Sequence, residues 1–169
     1  MRKLAAIAAL AAALPAAGSQ AVAVSVEALA RTSDLVVRGR VEEISARRTD
    51  DGRRVFTYVA VATAAAWRGP APARVVVIVP GGAAGGIAQR VDGAPAFASG
   101  EDVVVFLSRA EAGAFRVNGL AQGKYRVEGG TARPDLSQVE FVSRQVAAGE
   151  LPPGPVPIAE LERRVRSAR

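Results

Sequence analysis

Residues 77–97, VIVPGGAAGGIAQRVDGAPAF, come nearest to a known piece of chemistry in residue type and spacing. Gly81 and Gly86 enclose four residues, as the glycines of a phosphate-binding loop do. Such a loop offers backbone amides to an anion at a helix N-terminus. The Lys and the Ser or Thr that must follow are replaced by Ile87 and Ala88, and no G-x-G-x-x-G is present. Ile87 and Val91 alternate with Arg90 and Asp92, so a strand over residues 87–92 is expected rather than a helix. Pro80 then ends an apolar strand, and the glycine pairs turn or bulge the chain. A loop of this kind leaves backbone donors and acceptors free to meet a peptide or a partner loop.

The chain has neither histidine nor cysteine. That removes the usual zinc ligands, Cys-His dyads and Ser-His-Asp triads. Two catalytic arrangements survive. Paired carboxylates could come from Glu101, Asp102 and Asp92, which otherwise serve as turn and strand-end acids. Lys124, the only lysine beyond Lys3, could activate Ser99, Ser108, Ser137 or Ser143. Asp50-Asp51-Gly52 is too short for a calcium loop. Phe56, Tyr58, Phe97, Phe115 and Tyr125 could stack bases on a small barrel, although packing in the core is their commoner use. No cofactor, metal or nucleic-acid partner is expected.

The elements that must position these groups are short and β-rich, separated by turn signals, the pattern of a sandwich or barrel. LVVRGRVEEISAR (35–47) alternates, with Gly39 as a bend or bulge. Asp51-Gly52 predicts a hairpin into VFTYVAVATAAAW. RVVVIV (74–79) is continuously apolar, as in a strand covered on both faces. EDVVVFLSR, AFRVNGL and KYRVEGG follow, bringing the strands to a number that can close a small OB-like barrel. Beyond them Asp135 can cap a helix with Leu136, Val139, Val142 and Val146 on one face, while Val139-Glu140-Phe141 alternates as a strand would. LPPGPVP (151–157) reads as a proline-rich linker. Residues 158–169 read as a short basic helical tail, with Glu160 to Arg164 and Glu162 to Arg166 as four-residue ion pairs.

Arg2 and Lys3 precede an apolar run over residues 4–14, then Pro15 and small residues. This is the pattern of an export leader over residues 1–21, cleaved after Ala21 or Ala23, with a barrel domain over residues 24–150. Periplasmic or extracellular residence is expected, without stable membrane insertion after cleavage. With no cysteine, the fold must rest on its core alone. The net charge of +6 falls to +4 without Arg2 and Lys3, an ordinary charge for solubility.

GGAAGGIAQRVDGAPAFASGEDVVVFLSR followed by VNGLAQGKYRV resembles a family of exported bacterial small β-barrel proteins. That family carries a glycine-rich segment with Gln, a Gly-x-Pro-x-Phe step, Gly-Glu-x-Val-Val-x-Phe-Leu and Gly-Leu-Ala-Gln-Gly-Lys. A weaker similarity runs to OB-like and netrin-like barrels, although the netrin-like inhibitors depend on cysteines. The resemblance implies export and domain limits rather than an activity. The positions it singles out are Gly81, Gly82, Gly85, Gly86, Gln89, Gly93, Pro95, Phe97, Gln122, Gly123 and Lys124. Glycines and proline would shape a site, and Gln89, Gln122 and Lys124 would offer exposed polar contacts. The leading expectation is a non-enzymatic exported domain binding a protein or peptide partner through the glycine-rich loop. A hydrolase of uncommon type using carboxylates or a Ser-Lys pair, and a structural envelope protein, are the alternatives.

Overall fold

The computed structural model describes residues 19–168. In chain order the strands are β1 (Ser19–Val24), β2 (Leu35–Arg48), β3 (Val55–Arg68), β4 (Arg74–Pro80), β5 (Gly82–Ala84), β6 (Ile87–Gln89), β7 (Asp102–Arg109), β8 (Phe115–Val117), β9 (Lys124–Glu128), β10 (Thr131–Pro134), β11 (Val139–Gln145) and β12 (Val156–Pro157). Helices α1 (Val26–Thr32) and α2 (Ile158–Ser167) complete the fold. None of the described helices is long and apolar enough to cross a membrane.

β2 and β3 form the expected long hairpin, turned at Asp51 and Gly52. The Asp51 carboxylate accepts from the Thr49 hydroxyl and the Arg53 amide, and these bonds hold it below the usual carboxylate range. β4 pairs antiparallel with β3, and β7 antiparallel with β2. β8 then lies parallel to β4 and antiparallel to β7, which closes the ring β7-β2-β3-β4-β8. This is a small five-stranded barrel of the OB type, as expected. β9, β10 and β12 continue the sheet outward from β7.

Two apolar clusters share the barrel wall. Leu35, Val37, Val59, Val77, Val105 and Leu107 fill the interior. Val36, Val104, Phe106 and Tyr125 face outward and meet Leu29 of α1 and Leu161 and Val165 of α2. β7 therefore buries all of residues 103–107, because each of its faces meets one cluster. β4 departs from the expectation of cover on both faces. Val75, Val77 and Val79 point inward, but Val76 is 37% exposed on the outer wall.

Three further segments differ from the sequence reading. The strand expected over residues 87–92 is only Ile87–Gln89, paired with β5 in a hairpin outside the barrel sheet. Asp135 caps no helix: it accepts from the amide and hydroxyl of Ser137 in a tight turn, and β11 follows as a strand parallel to β1. The segment read as linker and tail is bound into the core. Leu151 donates its amide to Glu27, Val156 is buried against Ala132, and α2 packs its Leu161 and Val165 onto the barrel wall. The Glu160–Arg164 and Glu162–Arg166 pairs form at 2.7 and 2.8 Å. Most of the leader lies outside the described residues, but its last three residues, 19–21, belong to β1.

Glu150 ties the N-terminal elements to the C-terminal ones. Its carboxylate accepts from the Ser25 hydroxyl, which also caps α1, and from Arg31 and the Ala147 amide. The Ser25 bond first, then Arg31, draws its pKa down to about 2. A carboxyl depressed on folding stabilises above its unfolded pKa, about 4.3 for Glu, and loses that effect as pH falls toward 2. The melting temperatures of wild type and Glu150→Gln should therefore differ most above pH 5 and converge near pH 2. A gap unchanged over that range would exclude this role.

Candidate functional site

Pro80 ends β4, and the Gly81 amide donates to the Val55 carbonyl at 2.8 Å. The Thr57 hydroxyl donates to the Gly81 carbonyl at 2.8 Å, and this contact leaves no room beside it. A β-carbon on Gly82, whose φ is +127°, would stand 2.4 Å from the Thr57 hydroxyl oxygen. Gly85 and Gly86, with φ of +57° and +76°, make the two-residue turn between β5 and β6. The paired glycines thus turn the chain, and no helix follows to face an anion. Gln89 secures the returning strand, its side-chain oxygen accepting from the Val55 amide at 2.9 Å.

The chain then passes over one end of the barrel, where Ala94 and Phe97 rest against the interior cluster. Between this loop and the glycine hairpin lies a groove of about 470 Å³. Gly81, Gly82, Gln89, Gly93, Pro95 and Phe97 line it, joined by Arg90, Asp92, Asp135 and Gln138. Six of the eleven positions singled out in the sequence therefore meet in one place. Beyond Phe97 a second hollow of about 460 Å³ is lined by Glu101, Lys124, Arg126 and Arg133.

The other positions lie elsewhere. Gly85 and Gly86 form the hairpin tip outside the groove. Gln122 is buried, and its amide group spans two backbone groups of β1: its oxygen accepts from the Val24 amide at 2.9 Å, and its nitrogen donates to the Val22 carbonyl at 3.0 Å. Gly123 lies against the Asn118 carbonyl, where a β-carbon would be 1.8 Å away. Lys124, expected as an exposed contact, is 5% exposed. It forms a buried ion pair with Glu101, and its ammonium lies 5.2 Å from the centre of the Phe97 ring. Gln122 likewise spends both groups of its amide on the chain's own backbone, and Gln89 its side-chain oxygen.

The carboxylates considered for catalysis are paired with cations. Asp102 takes two bonds from Arg38, at 2.7 and 3.3 Å, Asp92 lies 3.5 Å from Arg90, and Glu101 holds Lys124. The hydrogen bond of Lys124 goes to Glu101 and to none of Ser99, Ser108, Ser137 or Ser143. Among the described residues no three acidic side chains gather as a metal site requires. Tyr125 stacks obliquely on Phe106 in the core, and burial pushes its phenol pKa well up. Phe97 and Phe115 lean on the barrel interior, while Arg47 lies over the Tyr58 ring at 5.3 Å.

Sequence reasoning missed the far wall of the groove. Arg90 donates to the Gln138 side chain, joining the loop to the segment before β11. These residues are 48 positions apart, and no local pattern links them. No protein-family model, curated protein or solved structure matches the chain.

Proposed function

We propose that this protein is an exported, non-enzymatic domain that binds an extended peptide segment of a protein partner in the groove beside the glycine hairpin. The observation that carries this reading is the make-up of the groove wall. Gly81, Gly82, Gly93, Ala94, Pro95 and Ala96 bring only small side chains or none to it, while the wall's Arg90 and Asp92 are paired with each other. An enzyme needs ionisable groups converging on one reacting centre. A peptide-binding groove needs free backbone and shallow pockets between strand edges. The β5-β6 hairpin borders the groove through Gly82 and Gln89, and the turn ahead of β11 borders it through Gln138. The leader pattern of residues 1–21 supports export.

Panning a displayed random peptide library on the exported chain tests the reading. Selected peptides should bind with a dissociation constant that rises at least tenfold in Ala96→Trp. Ala96 is exposed on the groove wall, so the indole would fill the groove while leaving the melting temperature within a few degrees. Failure to select any peptide, or equal binding to both chains, would overturn the proposal.

A further inference from the structure

β1 carries two different loads along its six residues. Val22, Ala23 and Val24 are fixed to the body of the protein: Gln122 bridges Val22 and Val24, Ala23 is buried, and Val24 packs on the outer apolar cluster. Ser19, Gln20 and Ala21 pair with β11, in parallel register with Val139, Glu140 and Phe141. The register slips between Ala21 and Val22, so a bulge divides the two halves. That division coincides with one of the two small-x-small cleavage points. Cutting after Ala21 leaves every contact of Gln122 intact, whereas cutting after Ala23 removes the Val22 carbonyl it holds.

The outer half also reaches the groove. The Ser19 amide donates to the Gln138 carbonyl at 2.9 Å, and a β-carbon on Gly93 would stand 3.1 Å from the Ser19 side chain. Gln138 and Gly93 both line the groove. Ser19 and Ala21 are half-buried and Gln20 is exposed, so this edge accepts small side chains at alternate positions and leaves the one between them in solvent.

We propose that residues 19–21 are a placeholder strand: export cleavage after Ala21 vacates the β11 edge at residues 139–141, and an extended small-x-small peptide of a protein partner takes their place, parallel to β11 and continuous with the groove. This deepens the peptide-binding reading and rests on it and on export. The occupant's chemistry is read from the chain's own Ser-Gln-Ala, which shows the direction, register and side-chain size that the edge accepts. β11 has β1 as its one strand partner among the described residues, so cleavage leaves backbone groups of this edge unpaired, and a returning strand restores their hydrogen bonds.

The test compares the full-length precursor, purified from the cytosol, with the exported chain. N-terminal sequencing should place Val22 first in the exported chain. Its β11 amides that face residues 19–21, which exclude Val139 because that amide donates to the Leu136 carbonyl at 3.0 Å, should exchange with deuterium at least tenfold faster than in the precursor. A labelled heptapeptide of residues 15–21, Pro-Ala-Ala-Gly-Ser-Gln-Ala, should bind the exported chain, restore that protection and ignore the precursor. The same peptide with Phe in place of its Ser should fail to bind. A different first residue, equal exchange in the two forms, or equal binding to both would overturn the proposal. Library peptides that bind and are lost in Ala96→Trp while these amides are unchanged would sink the placeholder strand and leave the peptide-binding reading standing. An edge that opens on processing yet binds neither kind of peptide would sink that reading, and the partner with it.

Discussion

Val105→Asp is expected to abolish folding, whereas Val76→Asp, on the same barrel, is expected to leave a soluble protein that unfolds cooperatively. Both positions lie in runs of valine that look alike in the sequence. Val105 has no solvent exposure and projects into the barrel interior among Val37, Val77 and Leu107. A carboxylate there must be ionised without a partner or held neutral at neutral pH. Either state costs several kcal/mol, against a total stability of about 5–15 kcal/mol. The lost valine methyls add a packing penalty. Val76 faces water on the outer wall between its inward neighbours, so its carboxylate stays hydrated and the change should cost about 1 kcal/mol. Circular dichroism with thermal melting reads both outcomes. Cooperative melting of the Val105 variant, or collapse of the Val76 variant, would show that the barrel wall has been assigned the wrong way round.

That pair of positions also marks where local pattern stops being informative. Continuous apolar runs flagged both strands, but whether a second layer covers the outer face depends on elements far away in the chain. Over β7 the helices α1 and α2 supply that layer, and over Val76 nothing among the described residues does. Turns were more legible because their causes are local. Asp51-Gly52 and Gly85-Gly86 hold the backbone angles that tight turns need, and both turns stand where the residues predict them. β11 was ambiguous for a non-local reason as well. Its valines fit either period, and its strand partner is β1, more than 100 residues earlier, within a segment that reads as the end of a leader. The groove was half legible: the glycine side follows from consecutive residues, while Asp135 and Gln138 arrive from a distant turn.

The same distance effect hid the setting of Lys124, and its removal carries the second large expected effect. A lone lysine in a strand reads as solvent-exposed, because burying an ammonium without a counterion is prohibitive. The counterion is Glu101, 23 residues earlier at the entry to β7, and side-chain exposure falls to 7% for the lysine and 6% for the glutamate. Glu101 is held in turn by the Ala98 amide at 3.0 Å, and the Arg126 guanidinium lies 3.9 Å away. Lys124→Ala would leave that carboxylate buried, with Arg126 as its distant cation, and also a hollow beneath the Phe97 ring. Breaking one side of a buried pair costs about 3–5 kcal/mol, enough to consume much of the stability of a domain this size. Replacing both partners should cost far less. Glu101→Gln keeps an acceptor for the Ala98 amide, Lys124→Met keeps the aliphatic bulk against Phe97, and neither leaves a charge unmatched. Urea denaturation of Lys124→Met, of Glu101→Gln and of the double variant forms a thermodynamic cycle that isolates the pair. The Lys124→Ala midpoint should fall well below that of the Lys124→Met, Glu101→Gln double variant. If Lys124→Ala instead unfolds at the wild-type midpoint, the pair contributes nothing to the fold, and Lys124 returns to being a free polar group of the second hollow.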